Sequence, residues 1–185
     1  MNDKKANFFH MNVSMVSTGR TAAKQMYNAR EGKYARRGDL VAKGEKNMPD
    51  GVRAKTFYEV LDANDRKNGG ATEIKIALPR ALPADERINL AAKLVARLAG
   101  PFPVAWAVHN PKAALEGGDQ THLHALLCRR VPDGLPRPLG QIFRRFNPKE
   151  PQRGGWRKDS GGPTRSSVKQ RLAADRAAVS EIINA

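Results

Sequence analysis

The sequence predicts an α+β domain with a central antiparallel sheet and helices packed mainly on one face. Segments with the period-2 pattern of strands alternate with amphipathic helical segments. The strand-like segments 104–109 and 121–128 are joined by a loop rich in Gly, Pro and Asn, which indicates an antiparallel pair. A length of 185 residues is enough for one buried core. We therefore expect one domain over residues 1–185, with residues 1–7 disordered.

The first half of the chain predicts one strand, two helices and a long loop. Residues 8–13 are aromatic and partly alternating, which is typical of a short strand. Residues 18–31 are rich in helix formers and are followed by a glycine, a stop signal. Residues 33–52 carry basic residues and glycines with weak periodicity, which predicts a loop. Residues 55–67 return to a helical pattern before a turn at 68–70.

The second half predicts three strands and three helices. The segment 72–78 alternates, so that its isoleucines lie on one face of the strand and Glu73 and Lys75 on the other. Segments 104–109 and 121–128 are the other strands. The helices have apolar residues at helical spacing and are predicted at 83–99, 139–146 and 166–183.

The charge balance indicates a polyanionic partner. The chain has 33 Lys and Arg against 18 Asp and Glu, a formal net charge of +15. Repulsion between these like charges destabilises the compact state unless a bound polyanion neutralises them. No run of about 20 apolar residues is present and no signal segment opens the chain. We therefore expect a cytoplasmic protein that binds nucleic acid and does not insert into membranes. Its single cysteine, Cys128, lies in an apolar run and is expected to be a small buried hydrophobe.

Three of the four histidines fall on two neighbouring predicted strands. His122 and His124 are two residues apart, so their side chains leave the same face about 7 Å apart. His109 shares its face with Ala105 and Ala107, whose small side chains leave space beside it. Imidazole suits divalent transition metals, and three ligands leave coordination positions open for water or substrate. The alternative is that the histidines are ordinary strand residues without a metal.

The tyrosines are the candidate nucleophiles. There are three, Tyr27, Tyr34 and Tyr58. A tyrosine hydroxyl can form a covalent phosphodiester intermediate where a metal neutralises the charge that develops on the phosphate. Tyr27 lies between Lys24 and Arg30, which can hold a phosphate backbone. The alternative is that Tyr27 is an ordinary core residue of an amphipathic helix.

Five motifs occur in a characteristic order along the chain. They are YNAREGKYAR at 27–36, KIALPR at 75–80, AVHNPK at 107–112, THLHA at 121–125 and FRRFN at 143–147, the last followed by RGG at 153–155 and by Lys158. Together they resemble the motifs of the MobA/MobL plasmid mobilisation relaxases, the MobQ class of HUH endonucleases. The resemblance covers nearly the whole chain from residue 8 onward.

The resemblance implies the HUH fold, in which a central antiparallel sheet carries three metal-binding histidines opposite a tyrosine on a helix. Carried over by position, His109, His122 and His124 are the ligands of a divalent metal, Mn or Mg. Tyr27, which precedes the Arg-Glu-Gly-Lys run, corresponds to the nucleophile. Tyr34 corresponds to a second tyrosine that is not the nucleophile.

The resemblance also implies a role for Glu73. It matches an acidic strand position of the family and is expected to orient a ligand histidine or to accept a proton. The family commonly has a second acid two residues later, where this chain has Lys75. Lys75 shares a face with Glu73, so it can pair with Glu73 or contact phosphate. The proton acceptor therefore stays open, and Asp119 is a further carboxylate to consider.

The implied reaction is a reversible nick in DNA. Tyr27 attacks the scissile phosphate, forms a 5′-phosphotyrosyl enzyme and releases a 3′-hydroxyl, and the reverse attack reseals the strand. The implied substrate is single-stranded DNA at a plasmid origin of transfer beside a hairpin, with accessory mobilisation proteins as partners and the enzyme as a monomer. The expected DNA contacts are mostly basic, with one tryptophan that stacks on a base; they are Arg30, Lys33, Arg36, Arg37, Lys75, Arg144, Arg145, Arg153, Trp156, Arg157 and Lys158.

Two other functions are consistent with parts of the pattern. Rolling-circle replication initiators share the chemistry but usually place the histidines before the tyrosine, whereas Tyr27 precedes His122 here. A non-catalytic nucleic-acid-binding module predicts that Tyr27→Phe leaves every activity intact. The chain lacks a nucleotide-binding glycine loop, so it is expected to be either a minimal enzyme or the excised nuclease domain of a longer relaxase.

Overall fold

The computed structural model describes residues 9–66, 70–112, 120–161 and 164–185. The expected disorder of residues 1–7, most of the turn expected at 68–70 and the candidate carboxylate Asp119 lie outside the described residues. No helix in these ranges has the length and apolar character needed to cross a membrane.

A five-stranded antiparallel sheet with the spatial order β1-β3-β5-β4-β2 forms the centre of the fold. Its strands are β1 (Met11–Val16), β2 (Leu40–Lys46), β3 (Ala71–Ala77), β4 (Val104–His109) and β5 (His122–Leu127). A short ribbon pairs β6 (Arg130–Val131) with β7 (Arg157–Lys158). The antiparallel pairing of β4 with β5 and the α+β class are confirmed.

Helices and short 3-10 segments surround the sheet in the described ranges. The α-helices are α1 (Thr21–Ala29), α2 (Ala54–Asn64), α3 (Ala84–Ala99) and α4 (Arg165–Asn184). The 3-10 segments are Gly32–Tyr34, Leu139–Phe143 and Pro151–Arg153. The helix expected at 139–146 is therefore a 3-10 segment rather than an α-helix.

Strand alternation gives the sheet two different faces. On one face, Ile74 is buried against α3 and α4, which contribute Leu94 and Val179 to the same cluster. On the other face, Phe57 of α2 packs with Ala105 of β4. The helices lie on both faces of the sheet, with α3 and α4 on the first and α1 and α2 on the second. The second face carries the candidate site.

The loop predicted over 33–52 is wrong at Leu40–Lys46, which forms the edge strand β2 against β4. Gly44 of β2 lies under the indole of Trp106, and a Cβ at this position would come within 2.8 Å of the ring. Charges and a glycine on an edge strand discourage pairing with other chains. The same residues remove the apolar alternation on which strand prediction relies.

Several element boundaries also differ from the prediction, including the end of α2 at Asn64 rather than at residue 67. Strand β1 begins at Met11 rather than at residue 8, because its ladder with β3 begins there. Helix α1 ends at Ala29, because Arg30 adopts the left-handed conformation with φ of 53° and closes the helix. This early stop turns the Arg30 side chain toward the sheet.

Candidate active site

The register of β4 against β5 gathers three histidines on one face of the sheet. His109 lies directly opposite His122, and His124 lies opposite Ala107. One ring nitrogen from each histidine lies within 4.8 Å of the other two, and the ring centroids are between 4.7 and 5.6 Å apart. The structure thus brings together the three histidines that the sequence selected.

Hydrogen bonds determine the tautomers of His122 and His124. Nδ1 of His122 lies 2.7 Å from the carbonyl oxygen of Gln120, and Nδ1 of His124 lies 2.9 Å from Oε1 of Glu73. A carbonyl and a carboxylate only accept, so each imidazole donates from Nδ1 and keeps the lone pair of Nε2 free. Metal-binding histidines have this arrangement, with the non-ligating nitrogen held by an oxygen.

Both ring nitrogens of His109 have partners. Nε2 lies 2.7 Å from the backbone oxygen of Asn28, and Nδ1 lies 3.2 Å from Nη2 of Arg30. Because arginine only donates, Nδ1 accepts and Nε2 carries the proton. Burial lowers the pKa of His109 to about 4, so its ring is neutral at neutral pH, as a metal ligand must be.

Glu73 is a buried carboxylate with three donors around it. His124 and Lys24 lie 2.9 and 2.8 Å from its two oxygens, and Nδ2 of Asn28 lies 3.3 Å from Oε1. Burial alone would raise the pKa of Glu73, but the hydrogen bonds from His124 and Lys24 outweigh it and lower the pKa to about 2. Among the described residues, the lysine that pairs with Glu73 is Lys24 and not Lys75.

Tyr27 lies on α1, half-buried among cations. Its hydroxyl accepts a hydrogen bond of 3.0 Å from Arg37. The charged groups of Lys24, Arg30 and Arg37 lie 5.4, 4.5 and 5.2 Å from the centroid of its ring. The ring of Tyr34 contacts it edge to face, with centroids 5.2 Å apart. The positive charge around this hydroxyl can attract a phosphate and stabilise negative charge on the phenolic oxygen.

Arg30 lies inside the site, with only 8% of its surface exposed. Its guanidinium forms two hydrogen bonds with Asp39, at 2.7 and 2.6 Å, and a third with the backbone oxygen of Tyr27 at 2.6 Å. The hydrogen bond from Arg30 holds the pKa of Asp39 below its ordinary value. Arg30 is therefore an internal support of the site rather than a freely exposed cation.

The donor set fits a divalent transition metal. His122 and His124 each offer a free Nε2, whereas His109, which lies within reach of both, would ligate through Nδ1 in place of its hydrogen bond from Arg30. Three imidazoles favour ions such as Mn²⁺ over Mg²⁺, which prefers oxygen ligands. The hydrogen bond from His124 to Glu73 supplies the carboxylate support that such ligands usually have.

The other predicted DNA contacts fall into two separate regions. Lys33 and Arg37 are exposed and contact Tyr34 and Tyr27, and Arg36 is exposed between them in sequence. Lys75 lies half-buried opposite His124. The second region is near the β6–β7 ribbon, away from the histidines. Its exposed members are Arg144, Arg145, Arg153, Arg157 and Lys158, whereas Trp156 is buried there.

Two residues of the site, Asn28 and Asp39, were not named from the sequence, and Lys24 was named only as a cation near Tyr27. Lys24 and Asn28 lie four residues apart on one face of α1, and both contact Glu73. Helical spacing from Lys24 would have found Asn28. Asp39 carries no comparable signal, because its ion pair depends on the reversal of the chain after α1.

No family model matches the sequence. The chain is 37% identical over 170 residues to a 43 kDa relaxation protein of Salmonella typhimurium, covering 89% of this chain and 46% of that protein. It is also 37% identical over 148 residues to mobilization protein A of Escherichia coli, covering 77% of this chain and 20% of that protein. The chain thus spans less than half the length of these relatives.

Solved structures share the fold. One, described as the molecular basis of vancomycin resistance transfer in Staphylococcus aureus, superposes with a TM-score of 0.65 over 96% of this chain and 91% of that chain, at 19% identity. The metal-bound conjugative relaxase TrwC in complex with oriT DNA superposes with a TM-score of 0.52 over 95% of this chain and 69% of that chain, at 14% identity. Identities this low establish the fold alone.

Proposed function

The chain belongs to the MobA-type relaxases, and from this premise we propose that it nicks one strand of DNA at a plasmid origin of transfer, with Tyr27 as the nucleophile. The observation that carries the proposal is the pair of cations between the tyrosine and the histidines. Arg30 contacts the Tyr27 ring and His109. Lys24 contacts the same ring and, through Glu73, the side chain of His124.

The reaction is a transesterification at phosphorus. Oη of Tyr27 attacks in line and bonds to phosphorus, while the bond from phosphorus to the 3′ oxygen breaks. The products are a 5′-phosphotyrosyl enzyme and a 3′-hydroxyl, which takes up the proton that the phenol releases to water. A divalent metal held by His109, His122 and His124 would supply positive charge to the non-bridging phosphate oxygens. Reversal of the attack religates the strand.

Two further side chains of the site orient a metal ligand and stabilise charge on the nucleophile. Glu73 holds the Nδ1 proton of His124 and so directs its Nε2 toward the metal position. A pKa of about 2 makes Glu73 a weak proton acceptor, which favours the orienting role over general-base catalysis. Arg37 donates to the Tyr27 hydroxyl and so stabilises the negative charge that the phenolic oxygen develops during attack.

The same proposal includes substrate and location. Single-stranded DNA with an adjacent hairpin is the substrate, and accessory mobilisation proteins assemble with the enzyme in the bacterial cytoplasm. Lys33, Arg36 and Lys75 flank the site and hold phosphates on either side of the nick. Mn²⁺ binds more tightly than Mg²⁺ because the ligands are imidazoles.

Adduct formation tests the proposal directly. The protein is incubated with Mn²⁺ and labelled single-stranded oligonucleotides tiled across the DNA that flanks its own gene, and a denaturing gel is used to detect a protein–DNA adduct. We expect an adduct on one oligonucleotide, lost in Tyr27→Phe and retained in the matched control Tyr34→Phe.

Two outcomes would contradict the proposal. An adduct that survives in Tyr27→Phe but disappears in Tyr34→Phe would assign the nucleophile to the other tyrosine. Binding of Mn²⁺ that is unaffected by His122→Ala and His124→Ala would remove the metal centre from these strands.

A further inference from the structure

A basic groove lies beyond the C-terminal end of β5, whereas His122 lies at the N-terminal end of that strand. It consists of two adjoining cavities of about 560 and 570 Å³. Both cavities are lined by Arg144, Arg145 and Phe146. Arg66 lines one cavity and Lys149 the other, and each adds positive charge. Lys158 and Arg153 also line them, paired with Asp65 at 2.9 Å and with Glu150 at 3.2 Å.

The wall of this groove is held in place from below by Arg130, which is only 4% exposed. Its guanidinium donates to the backbone oxygens of Ile142, Phe143, Arg144 and Trp156, at distances between 2.7 and 3.3 Å. It also forms a buried ion pair with Asp65 at 2.7 Å. One buried side chain therefore fixes the backbone on both sides of the groove wall.

Two glycines allow the two chain segments of the wall to approach closely. A Cβ at Gly154 would come within 2.5 Å of the backbone nitrogen of Asn147, and one at Gly155 would overlap the backbone oxygen of Arg144. The backbone hydrogen bond from Gly155 to Arg145, at 3.2 Å, joins the same two segments. The arginines are thus presented on a preformed backbone, which reduces the ordering cost of binding a ligand.

Phe146 is the accessible aromatic side chain of this wall. It is half-buried and lines both cavities, between the exposed Arg145 and the loop that follows. Trp156, which the sequence favoured for stacking, is only 8% exposed and packs in the cluster with Phe57 and Phe143. Trp156 therefore presents less surface to the groove than Phe146 does, although it lines the same cavity.

We infer that this groove is a second binding site for single-stranded DNA, in which Phe146 stacks on a nucleobase while Arg144 and Arg145 bind the flanking phosphates. Cations that follow the backbone and an aromatic ring that takes a base are the two elements of sequence-tolerant single-strand binding. The inference rests on the proposed function, and it adds a contact several nucleotides away from the nick. The groove is on the α2 side of the sheet, as the histidines are, so one strand can reach both.

Stacking and phosphate binding differ in their dependence on salt. Binding of a phosphate by a cation releases counterions. Loss of one such contact therefore makes the negative slope of log affinity against log salt shallower by about 0.7 for a single strand. Loss of a stacked base weakens binding by about ten-fold and leaves that slope unchanged, because no counterion is involved. The two kinds of contact can therefore be separated in one titration series.

The test uses the full chain in a Tyr27→Phe background with EDTA, so that binding is measured without cleavage. Fluorescence anisotropy follows a labelled oligothymidylate of about 16 nucleotides, and a second oligonucleotide carries 2-aminopurine, whose emission is quenched by stacking. We expect Phe146→Leu to weaken binding about ten-fold at an unchanged salt slope and to restore the 2-aminopurine emission. Arg144→Gln should lower the slope, whereas Lys93→Gln, an exposed lysine on α3, should not.

The outcomes separate this site from the proposed function. Normal affinity of Phe146→Leu, in a protein that still forms the Tyr27 adduct, would overturn the stacking site and leave the nicking function intact. A change of salt slope in Phe146→Leu would show that the variant had disturbed the arginines, so Phe146→Tyr, which keeps an aromatic face, must then restore both slope and affinity. Failure of that rescue would also overturn the inference.

Discussion

The ring of Tyr27 and the imidazole of His109 contact the same guanidinium. Cζ of Arg30 lies 4.5 Å from the centroid of the Tyr27 ring, and its Nη2 lies 3.2 Å from Nδ1 of His109. Asp39 holds this guanidinium with two hydrogen bonds. Both ends of the candidate site are therefore linked through one cation. Since arginine only donates, Arg30 also keeps the proton of His109 on Nε2, against the backbone of Asn28.

Arg30→Gln is expected to strengthen metal binding while it weakens nicking. Removal of the cation beside His109 releases Nδ1 and removes a charge that repels the metal, so we expect the affinity for Mn²⁺ to rise. Adduct formation should fall, because the Tyr27 ring loses its support. Calorimetric titration with Mn²⁺ and the adduct assay measure the two effects. Weaker metal binding in Arg30→Gln would show that the guanidinium supports His109 as a ligand instead of restraining it.

Glu73→Gln is expected to weaken metal binding by about ten- to a hundred-fold, the usual effect of losing a carboxylate behind a ligand histidine. The amide no longer carries the charge that pairs with Lys24 and holds the Nδ1 proton of His124. The matched control is Glu59→Gln, an exposed carboxylate on α2. Titration of both variants with Mn²⁺ measures the difference, and equal affinities would exclude the orienting role of Glu73.

The stability of the metal-free protein is expected to decrease as the pH falls below about 6.5. In the unfolded chain His109 takes up a proton near its ordinary pKa of 6.5, whereas in the folded protein burial lowers that pKa to about 4. Between these values the unfolded state binds more protons, so the free energy of unfolding decreases as the pH falls, by about 3 kcal/mol in total. Glu73, whose folded pKa of about 2 is below its ordinary 4.5, adds a second loss between those two values.

Urea unfolding in EDTA at a series of pH values measures this dependence. His109→Asn should flatten the curve between pH 4 and 6.5, because the group that titrates differently in the two states is gone. An equally steep curve in that variant would assign the dependence to another group, of which buried His124, whose pKa burial also lowers, is the first to examine.

The sequence was sufficient where local pattern and pairing agree. Alternation in β4 and β5, together with the two-residue spacing of His122 and His124, predicted which face the histidines share. The sequence was insufficient where a contact between residues far apart in the chain determines whether a residue is buried or lies in a strand. Gly44 of β2 packs against the indole of Trp106 on the neighbouring strand, a contact that the local sequence does not show. Trp156 is buried in a cluster with Phe57 of α2, which lies about a hundred residues earlier in the chain.

Arg130→Lys provides a test of how far the basic groove depends on one buried side chain. Lysine retains the charge and can still pair with Asp65, but it cannot supply the hydrogen bonds that Arg130 makes to four backbone oxygens. Unsatisfied buried acceptors cost about 1–3 kcal/mol each when no water replaces the donor. We therefore expect a loss of roughly 2–4 kcal/mol in the free energy of unfolding.

The neighbouring Arg129 is the matched control, since it is half-buried and its guanidinium donates, within the part of the chain that the structure describes, one hydrogen bond of 3.3 Å, to Thr72. Arg129→Lys should therefore cost less than about 1 kcal/mol. Urea unfolding of both variants measures the difference, and single-strand affinity measured well below the unfolding midpoint reports on the groove. If Arg130→Lys folds and binds DNA like Arg129→Lys, the loop around Phe146 holds its shape through its own backbone contacts, and the two close-packed glycines are its main support.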